Sequence, residues 1–312
     1  MIIMIEKSII NKYSKDIVAS STARINTHFA TKNFDLIQIY HYAVTGMSEI
    51  LQQIHSHQQI PVEPLRTNIF PAVKRLADSP SVFTLLSQLQ SKDDYTSKHS
   101  IAVGILAMNL GKVLKLPVDQ VDLLMTAGTL HDVGKMMIPD SILNKPSKLT
   151  LDEFEVIKRH TVYGYEMISR TATFTESEAI IALEHHEQVD GNGYPHRKKD
   201  SEINYLAKIV NVVDVFHAMS SSRIYHDPMP FYQILVEMNN GVFGHFDPAI
   251  SLAFIQNMME QLIGEKVLLS DSRIGIIRMI PMQVPTRPFI EVGSTIVDLT
   301  RTPEINILRL LP

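Results

Sequence analysis

Seven of the histidines and aspartates in this chain stand where they could bind metal ions. They are His99, His131, Asp132, His160, His185, His186 and Asp214. Two pairs among them close apolar segments, VDLLMTAGTLHD and EAIIALEHH, and one aspartate lies within the apolar KIVNVVDVFHAM. An unpaired charge in an apolar core is costly. Asp214, the aspartate of this last segment, therefore needs a cation or several hydrogen-bond donors. The seven residues together could form one metal site.

Each of these residues has an ordinary explanation when it is taken alone, because a single helical histidine is usually exposed or hydrogen-bonded in a core. The chain has no cysteine, so disulfides, thiolate zinc sites, iron–sulfur clusters and cysteine nucleophiles are excluded. Imidazole and carboxylate ligands suit iron, manganese or zinc. Facing helices of a bundle can bring such ligands together around two metal ions. The set therefore predicts a metal site with nitrogen and oxygen ligands inside a helical bundle.

The elements that must position these residues are predicted to be helices with short connections. The apolar pattern predicts helices over 99–114, 118–132, 151–169, 176–186, 206–219, 231–239 and 248–262. Thr150 precedes acidic first-turn residues, and Asp247 precedes Pro248, so both are predicted N-caps. β-branched runs at 266–269, 273–280, 289–292 and 295–299 predict a small antiparallel appendage. We therefore expect a mainly α fold, a helical bundle with an N-terminal helical region and a C-terminal β unit.

The region before residue 91 carries no chemical motif. Its pattern predicts helices over 34–59, 70–76 and 82–89, and we expect residues 1–90 to be a regulatory or dimerisation module that contacts protein partners or a second copy. The net charge of −4 argues against a nucleic-acid polymer as partner. No apolar run is long enough to cross a membrane and no signal peptide is legible, so we expect no membrane contact and a cytoplasmic location.

Three ordered motifs resemble the HD-GYP domain, a branch of the HD phosphohydrolases. They are HDVGK at 131–135, HHEQVDGNGYP at 185–195 and DVFHAMSSSRIY at 214–225. His99-Ser100 and RHTVYG at 159–164 follow in the same order, so the resemblance covers residues 91–262. The β-rich tail at 263–312 is similar to one often seen after this domain. The resemblance thus implies an HD-type helical bundle as the central domain.

The resemblance implies hydrolysis of cyclic di-GMP, or a related cyclic dinucleotide, to linear pGpG or GMP. It implies that the seven residues named above are metal ligands and that Asp132 bridges two divalent ions, iron or alternatively manganese or zinc. Lys135 would stabilise charge on a non-bridging phosphate oxygen. Tyr194 would face the nucleotide, and Arg223 would clamp a phosphate or a guanine edge. Asp93 would lie near the substrate.

Several positions differ from the pattern of this family. Tyr95 stands where members with three metal ions have a glutamate, so we expect only two ions. Thr161 replaces a usual proline, His217 a usual aspartate and His226 a usual basic residue. The segment HRKKDSEIN replaces a glycine-containing one, and its basic residues either compensate for the lost charge or are simply solvated. The metal-binding set is thus intact, whereas the residues that would face the substrate differ.

The residues leave three functions open. The first is a cyclic dinucleotide phosphodiesterase with two metal ions, whose turnover could be slow. The second is a metal-containing module that binds the cyclic dinucleotide and signals to a partner through its N-terminal helices. The third is a protein whose metal only stabilises the fold, but this gives Lys135, Tyr194 and Arg223 no reason to persist together.

Overall fold

The computed structural model describes residues 36–79, 95–220 and 231–311, which form helices followed by one small sheet. The helices are α1 Leu36–His57, α2 Val62–Pro64, α3 Phe70–Ala77, α4 Tyr95–Val113, α5 Val118–Leu130, α6 Asp140–Leu143, α7 Leu151–Lys158, α8 His160–Ser169, α9 Glu176–Glu184, α10 Tyr205–Ser220, α11 Phe231–His245 and α12 Pro248–Glu260. Short 3-10 turns at Val133–Met137 and Asp200–Glu202 and a π turn at Leu65–Ile69 complete the helical part. The mainly α fold is as predicted. None of the described helices has the length and apolar character needed to cross a membrane.

Helix α4 lies at the centre of the bundle and is buried on almost every side. Val103 and Leu106 face one apolar core, which is shared with α10, α11, α12 and the sheet. Ile101 and Ile105 face a second core, which is shared with α1 and α3. A helix that is apolar all round is typical of such a central position. Because His99 belongs to α4, its imidazole is held in the interior of the molecule.

The N-terminal helices pack directly on the central bundle. Met47 and Ile54 of α1 are fully buried in the core that α1 and α3 share with α4. Lys74 of α3 donates to Asp122 of α5, with 2.7 Å between Nζ and Oδ1. The helices predicted over 34–59 and 70–76 are therefore present, whereas the one over 82–89 lies outside the described residues. The domain boundaries at 90 and 262 stay predictions.

The helix predicted over 151–169 is wrong as a single element. The chain forms α7 and α8 instead, and they meet at Arg159, whose backbone N–H bonds to Val156 O at 3.2 Å. The predicted N-cap of α7 is confirmed, because Thr150 Oγ1 accepts from Glu153 N at 3.2 Å and Glu153 Oε2 accepts from Thr150 N at 2.7 Å. The break at Arg159 makes His160 the first residue of α8.

The C-terminal unit is a five-stranded antiparallel sheet in the order β4-β3-β2-β1-β5. Its strands are β1 Lys266–Leu269, β2 Ile274–Met279, β3 Phe289–Val292, β4 Thr295–Asp298 and β5 Ile307–Leu311. Four of them match the predicted runs. The leucine-rich β5 was not predicted, because it is identified by its pairing with β1 and not by a β-branched pattern. Val267, Leu269 and Ile277 are fully buried in the core shared with α11 and α12, so the sheet is packed onto the bundle.

Candidate metal centre

The seven predicted ligands converge at the centre of the bundle, although they come from five different helices or helix ends. Their potential ligand atoms fall into two groups, and within each group these atoms lie within 4.8 Å of one another. One group consists of Asp132, His160, His185 and His186, and the other of His99, His131 and Asp214. All but His186 are buried, and the side chain of His186 is 22% exposed. The structure therefore brings together the whole set that the sequence singled out.

Asp132 lies between the two groups and faces both of them. Its Oδ1 lies 3.2 Å from His160 Nε2 and 3.8 Å from His185 Nε2. Its Oδ2 lies 3.2 Å from His131 Nε2 and 3.4 Å from His99 Nε2. One carboxylate thus presents one oxygen atom to each group, which is the arrangement needed to bridge two ions.

The ends of the helices orient three of these histidines. The Nδ1 atoms of His131, His160 and His185 lie 2.7, 2.7 and 2.8 Å from the carbonyl oxygens of the residues three positions earlier. The last carbonyls of a helix have no intrahelical partner, so they can accept a side-chain hydrogen bond. The helices predicted to end at 132 and 186 in fact end at Leu130 and Glu184, which makes these carbonyls available.

These hydrogen bonds decide which ring nitrogen is free to bind a cation. A carbonyl oxygen only accepts, so the Nδ1 atom of each of these rings carries the proton and Nε2 of the neutral ring has a lone pair. His160 Nε2 and His185 Nε2 then face one another at 3.4 Å with no proton between them. Asp132 Oδ1 is also buried and accepts no hydrogen bond from the described residues. Converging lone pairs and an unsatisfied carboxylate oxygen fit a bound cation of the kind that nitrogen and oxygen ligands hold.

The protonation states of the ligands also suit a cation. Burial alone would raise the pKa of Asp132, but His131 and Lys135 hold the pKa of that carboxyl well below its usual range. Burial lowers the pKa of His185 well below its ordinary value, and it lowers the pKa of His186 to about 3. The carboxylate is therefore ionised and these imidazoles are neutral at neutral pH, which is the state in which both groups bind metal.

The glycine of HDVGK allows two parts of the centre to approach closely. A Cβ atom at Gly134 would lie 2.0 Å from His160 O and 2.4 Å from Gly164 N. The 3-10 turn Val133–Met137 therefore packs directly against the first turns of α8. This contact carries His160 toward Asp132, and no larger residue could occupy the position without moving the helix.

The loop after the histidine pair folds back over the metal centre. A Cβ atom at Gly193 would lie 2.3 Å from Gln188 N, so the backbone passes too close for any other residue. Tyr194 N donates to His186 O at 3.1 Å, and the two rings lie 4.7 Å apart between centroids. Burial raises the pKa of Tyr194, so its hydroxyl stays protonated. Tyr194 thus lies beside the candidate metal centre, and its contact with a nucleotide stays a prediction.

Two buried glutamates that the sequence reasoning missed hold this loop in place. Glu187 accepts from His196 N at 2.7 Å and from Lys198 N at 2.9 Å. Glu184 accepts from Lys198 Nζ at 2.5 Å, so this lysine is paired within the protein and is not simply solvated. The signal was the pattern EHHE, in which a carboxylate flanks the histidine pair on each side.

Of the other predicted substrate-binding residues, only Lys135 lies within the described part of the chain. Lys135 Nζ donates to Asp132 Oδ2, so it lies at the centre but is bonded to a candidate ligand. Burial would lower the pKa of Lys135, but Asp132 and Asp214 raise it above the ordinary value, which keeps the side chain charged. Asp93 and Arg223 lie outside the described residues. Tyr95 stacks on the His99 ring at 5.4 Å between centroids, so its ring lies directly against this candidate ligand.

Comparisons with known proteins agree with this architecture. Residues 76–250 match the HD domain family. The chain is 36% identical over 198 residues to the cyclic di-GMP phosphodiesterase PA4108 of Pseudomonas aeruginosa, over 64% of this chain and 48% of that protein. It is 34% identical over 170 residues to the 3'3'-cGAMP-specific phosphodiesterase 2 of Vibrio cholerae, over 54% of this chain and 33% of that protein. The chain thus spans about half or less of the length of these relatives.

The solved structure of Bd1817, an HDG"Y"P protein from Bdellovibrio bacteriovorus, has the same fold. It matches with a TM-score of 0.59 and 16% sequence identity, over 73% of this chain and 74% of that chain. Fold and side-chain cluster together define a helical bundle with a candidate metal centre at its core. Because the family match covers more than half of the sequence, the chain belongs to the HD domain family. The HD-type domain that the three motifs implied is therefore confirmed.

Proposed function

We propose that this protein hydrolyses cyclic di-GMP, or a related cyclic dinucleotide, to linear pGpG or GMP at a centre of two divalent metal ions. The observation that carries the proposal is the position of Asp132, whose two oxygen atoms face two separate groups of ligands. The relatives named above are phosphodiesterases of cyclic di-GMP and of 3'3'-cGAMP, which supports this class of substrate. Iron is the proposed metal, with manganese and zinc as alternatives, because all seven ligand atoms are nitrogen or oxygen.

Each group of the centre has a proposed role in the reaction. When bound, two divalent ions would polarise the phosphodiester and lower the pKa of an attacking water molecule. Asp132 would bridge the two ligand groups, and the histidines would complete them. Lys135 exchanges its bond to Asp132 for a non-bridging phosphate oxygen and stabilises the charge that develops there. Tyr194, whose hydroxyl stays protonated, contacts the nucleotide at the side of the centre formed by His186.

A second function, binding of the cyclic dinucleotide without turnover, is favoured by one contact. Lys135 Nζ is bonded to Asp132 Oδ2, so the charge needed at the phosphate is already neutralised by a ligand. If that bond persists when substrate is bound, the centre binds the phosphodiester but stabilises the transition state poorly. In this form the protein signals through a partner, and residues 1–90 are the proposed contact region.

Two measurements on the full chain test the metal centre and the reaction. Elemental analysis of the purified protein should find two divalent ions per chain in the wild type and fewer in Asp132→Ala. Asp122→Ala is the matched control, because this aspartate of the neighbouring helix α5 pairs with Lys74 away from the centre. Unchanged metal content in Asp132→Ala would refute the ligand assignment.

The reaction is tested by incubating the iron- or manganese-loaded protein with cyclic di-GMP and with 3'3'-cGAMP. Chromatography should show linear products from at least one of them. Tight binding without products would refute hydrolysis and establish the binding function instead. The absence of both binding and products would refute both functions.

For the wider organisation we propose a cytoplasmic protein in which residues 1–90 mediate dimerisation or partner contact and residues 91–262 carry out the reaction. Residues 263–312 would form an extension of that domain. Light scattering of the full chain tests the dimer.

A further inference from the structure

One candidate ligand, His99, is oriented in a different way from its neighbours. The Nδ1 atoms of His131, His160 and His185 each face a backbone carbonyl three residues earlier in the chain. His99 Nδ1 instead lies 2.9 Å from Nδ1 of His217, on helix α10. The two residues are separated by 118 positions in the sequence.

The position of His99 within its helix explains the difference. His131 and His185 directly follow α5 and α9, and His160 begins α8 after the break at Arg159. His99 lies in the second turn of α4, Tyr95–Val113. Carbonyl groups inside a helix already accept the backbone N–H four residues later, so none is available to this ring. A partner for His99 Nδ1 must therefore come from another helix.

Helix α10 supplies contacts to both ring nitrogens of His99. Asp214 Oδ1 lies 3.0 Å from Nε2, and His217 Nδ1 lies 2.9 Å from Nδ1. Residues three apart on a helix share a face, so Asp214 and His217 approach the ring from the same side of α10. The His99 and His217 rings are tilted by 46° with centroids 5.1 Å apart, so they are not stacked face to face. Their close contact runs through the two nitrogen atoms.

We propose that His217 is a positioning residue for the metal centre. Its Nδ1 accepts the Nδ1–H of His99, which leaves His99 Nε2 without a proton and directed at the group formed with His131 and Asp214. The proton of His217 is then on its own Nε2. Outer partners of this kind fix the tautomer and orientation of a ligating histidine. The role rests on the metal centre proposed above, and it involves a residue that none of the three motifs assigns as a ligand.

Three substitutions at one position separate this role from simple packing. His217→Asn keeps an acceptor, because the amide Oδ1 occupies nearly the same place as the imidazole Nδ1. His217→Leu has almost the shape of asparagine but no acceptor. His217→Gln is polar and tolerated in a helix, but its oxygen lies one bond further out. His57→Leu is the control for an unrelated histidine substitution, since the ring of this exposed residue of α1 faces Gln53 O of its own helix.

The measurement is calorimetric titration of the metal-stripped full chain with Mn²⁺, together with thermal unfolding of the metal-free form. We expect two sites in the wild type, in His57→Leu and in His217→Asn. In His217→Leu and His217→Gln one of the two sites should weaken by about 10–100-fold, with the other unchanged. The unfolding temperature of the metal-free glutamine variant should stay within a few degrees of that of the wild type. Its weaker metal binding then cannot come from misfolding.

The outcomes distinguish the two proposals. Wild-type affinity at both sites in the leucine and glutamine variants would overturn the role of His217 while leaving the metal centre intact. Equal weakening in the asparagine and glutamine variants would overturn it too, because the acceptor at the Nδ1 position would then not matter. A wild-type chain that binds no Mn²⁺ would refute the metal centre itself, and with it this role.

Discussion

Replacing Gly134 by alanine should disrupt the proposed metal centre, although glycine has no side chain that could bind a metal ion. Its added Cβ atom would lie 2.0 Å from His160 O and 2.4 Å from Gly164 N. Both are backbone atoms, so no flexible side chain can move aside. The 3-10 turn and α8 must separate by about 1 Å to reach even the 3.0 Å that real Cβ contacts require.

That displacement is large compared with the distances in the centre. His160 is the first residue of α8, and its Nε2 lies 3.2 Å from Asp132 Oδ1. A shift of about 1 Å takes such a pair out of range for a shared ion, because metal–ligand distances tolerate only about 0.2 Å. Overpacking of a buried contact also costs about 1–3 kcal/mol of stability. We therefore expect weaker metal binding together with a lower free energy of unfolding.

Gly164→Ala is the matched control, since it lies on the other side of the same contact. Its added Cβ atom would have no neighbour closer than 3.5 Å, which is ordinary van der Waals contact. Alanine in the interior of α8 should be neutral or stabilise by up to about 1 kcal/mol. Urea unfolding of the metal-free proteins gives the free energies, and Mn²⁺ titration gives the number of sites. A Gly134→Ala protein with wild-type stability and two intact sites would refute the steric argument.

The remaining predictions concern ligands, pH and substrate. His185→Ala should lose metal while Tyr194→Phe keeps it; metal loss in the tyrosine variant would mean that the loop is misplaced. The folded pKa values of His185 and His186 lie below the unfolded value, so the unfolded chain binds more protons and the metal-free protein should lose stability as pH falls through about 6.5. His99, whose pKa is raised, opposes this trend, and urea unfolding at several pH values measures the sum. Phe154, 44% exposed and 6.4 Å from the Tyr194 ring, should stack on a base, so Phe154→Ala should weaken cyclic dinucleotide binding several-fold but leave bis(p-nitrophenyl) phosphate hydrolysis unchanged. Equal effects on both substrates would contradict that role.

Local sequence patterns were enough to predict most helices and their starts. Asp247 caps α12 as predicted, because its Oδ1 accepts from Ala249 N and Ile250 N at 3.0 and 3.1 Å. Such caps and apolar periods depend on residues a few positions apart, so they can be read from the chain alone. The break at Arg159 and the strand β5 could not, because they depend on packing against distant elements.

The same division holds for the metal centre. The types and order of the seven residues came from the sequence, and their roles as ligands stay predictions until metal is measured. That they converge, and that Asp132 offers one oxygen to each group, depended on how five segments of the chain pack together.

The orientation of each ligand was decided only by the tertiary structure. Three histidines use carbonyls freed at helix ends, and the exact ends of those helices differ from the sequence prediction by two residues in two cases. His99 uses a residue 118 positions away, which no local pattern could connect to it. A sequence specifies which groups can bind a cation, but the tautomer and direction of an imidazole depend on the atom that faces its other nitrogen. Packing alone places that atom.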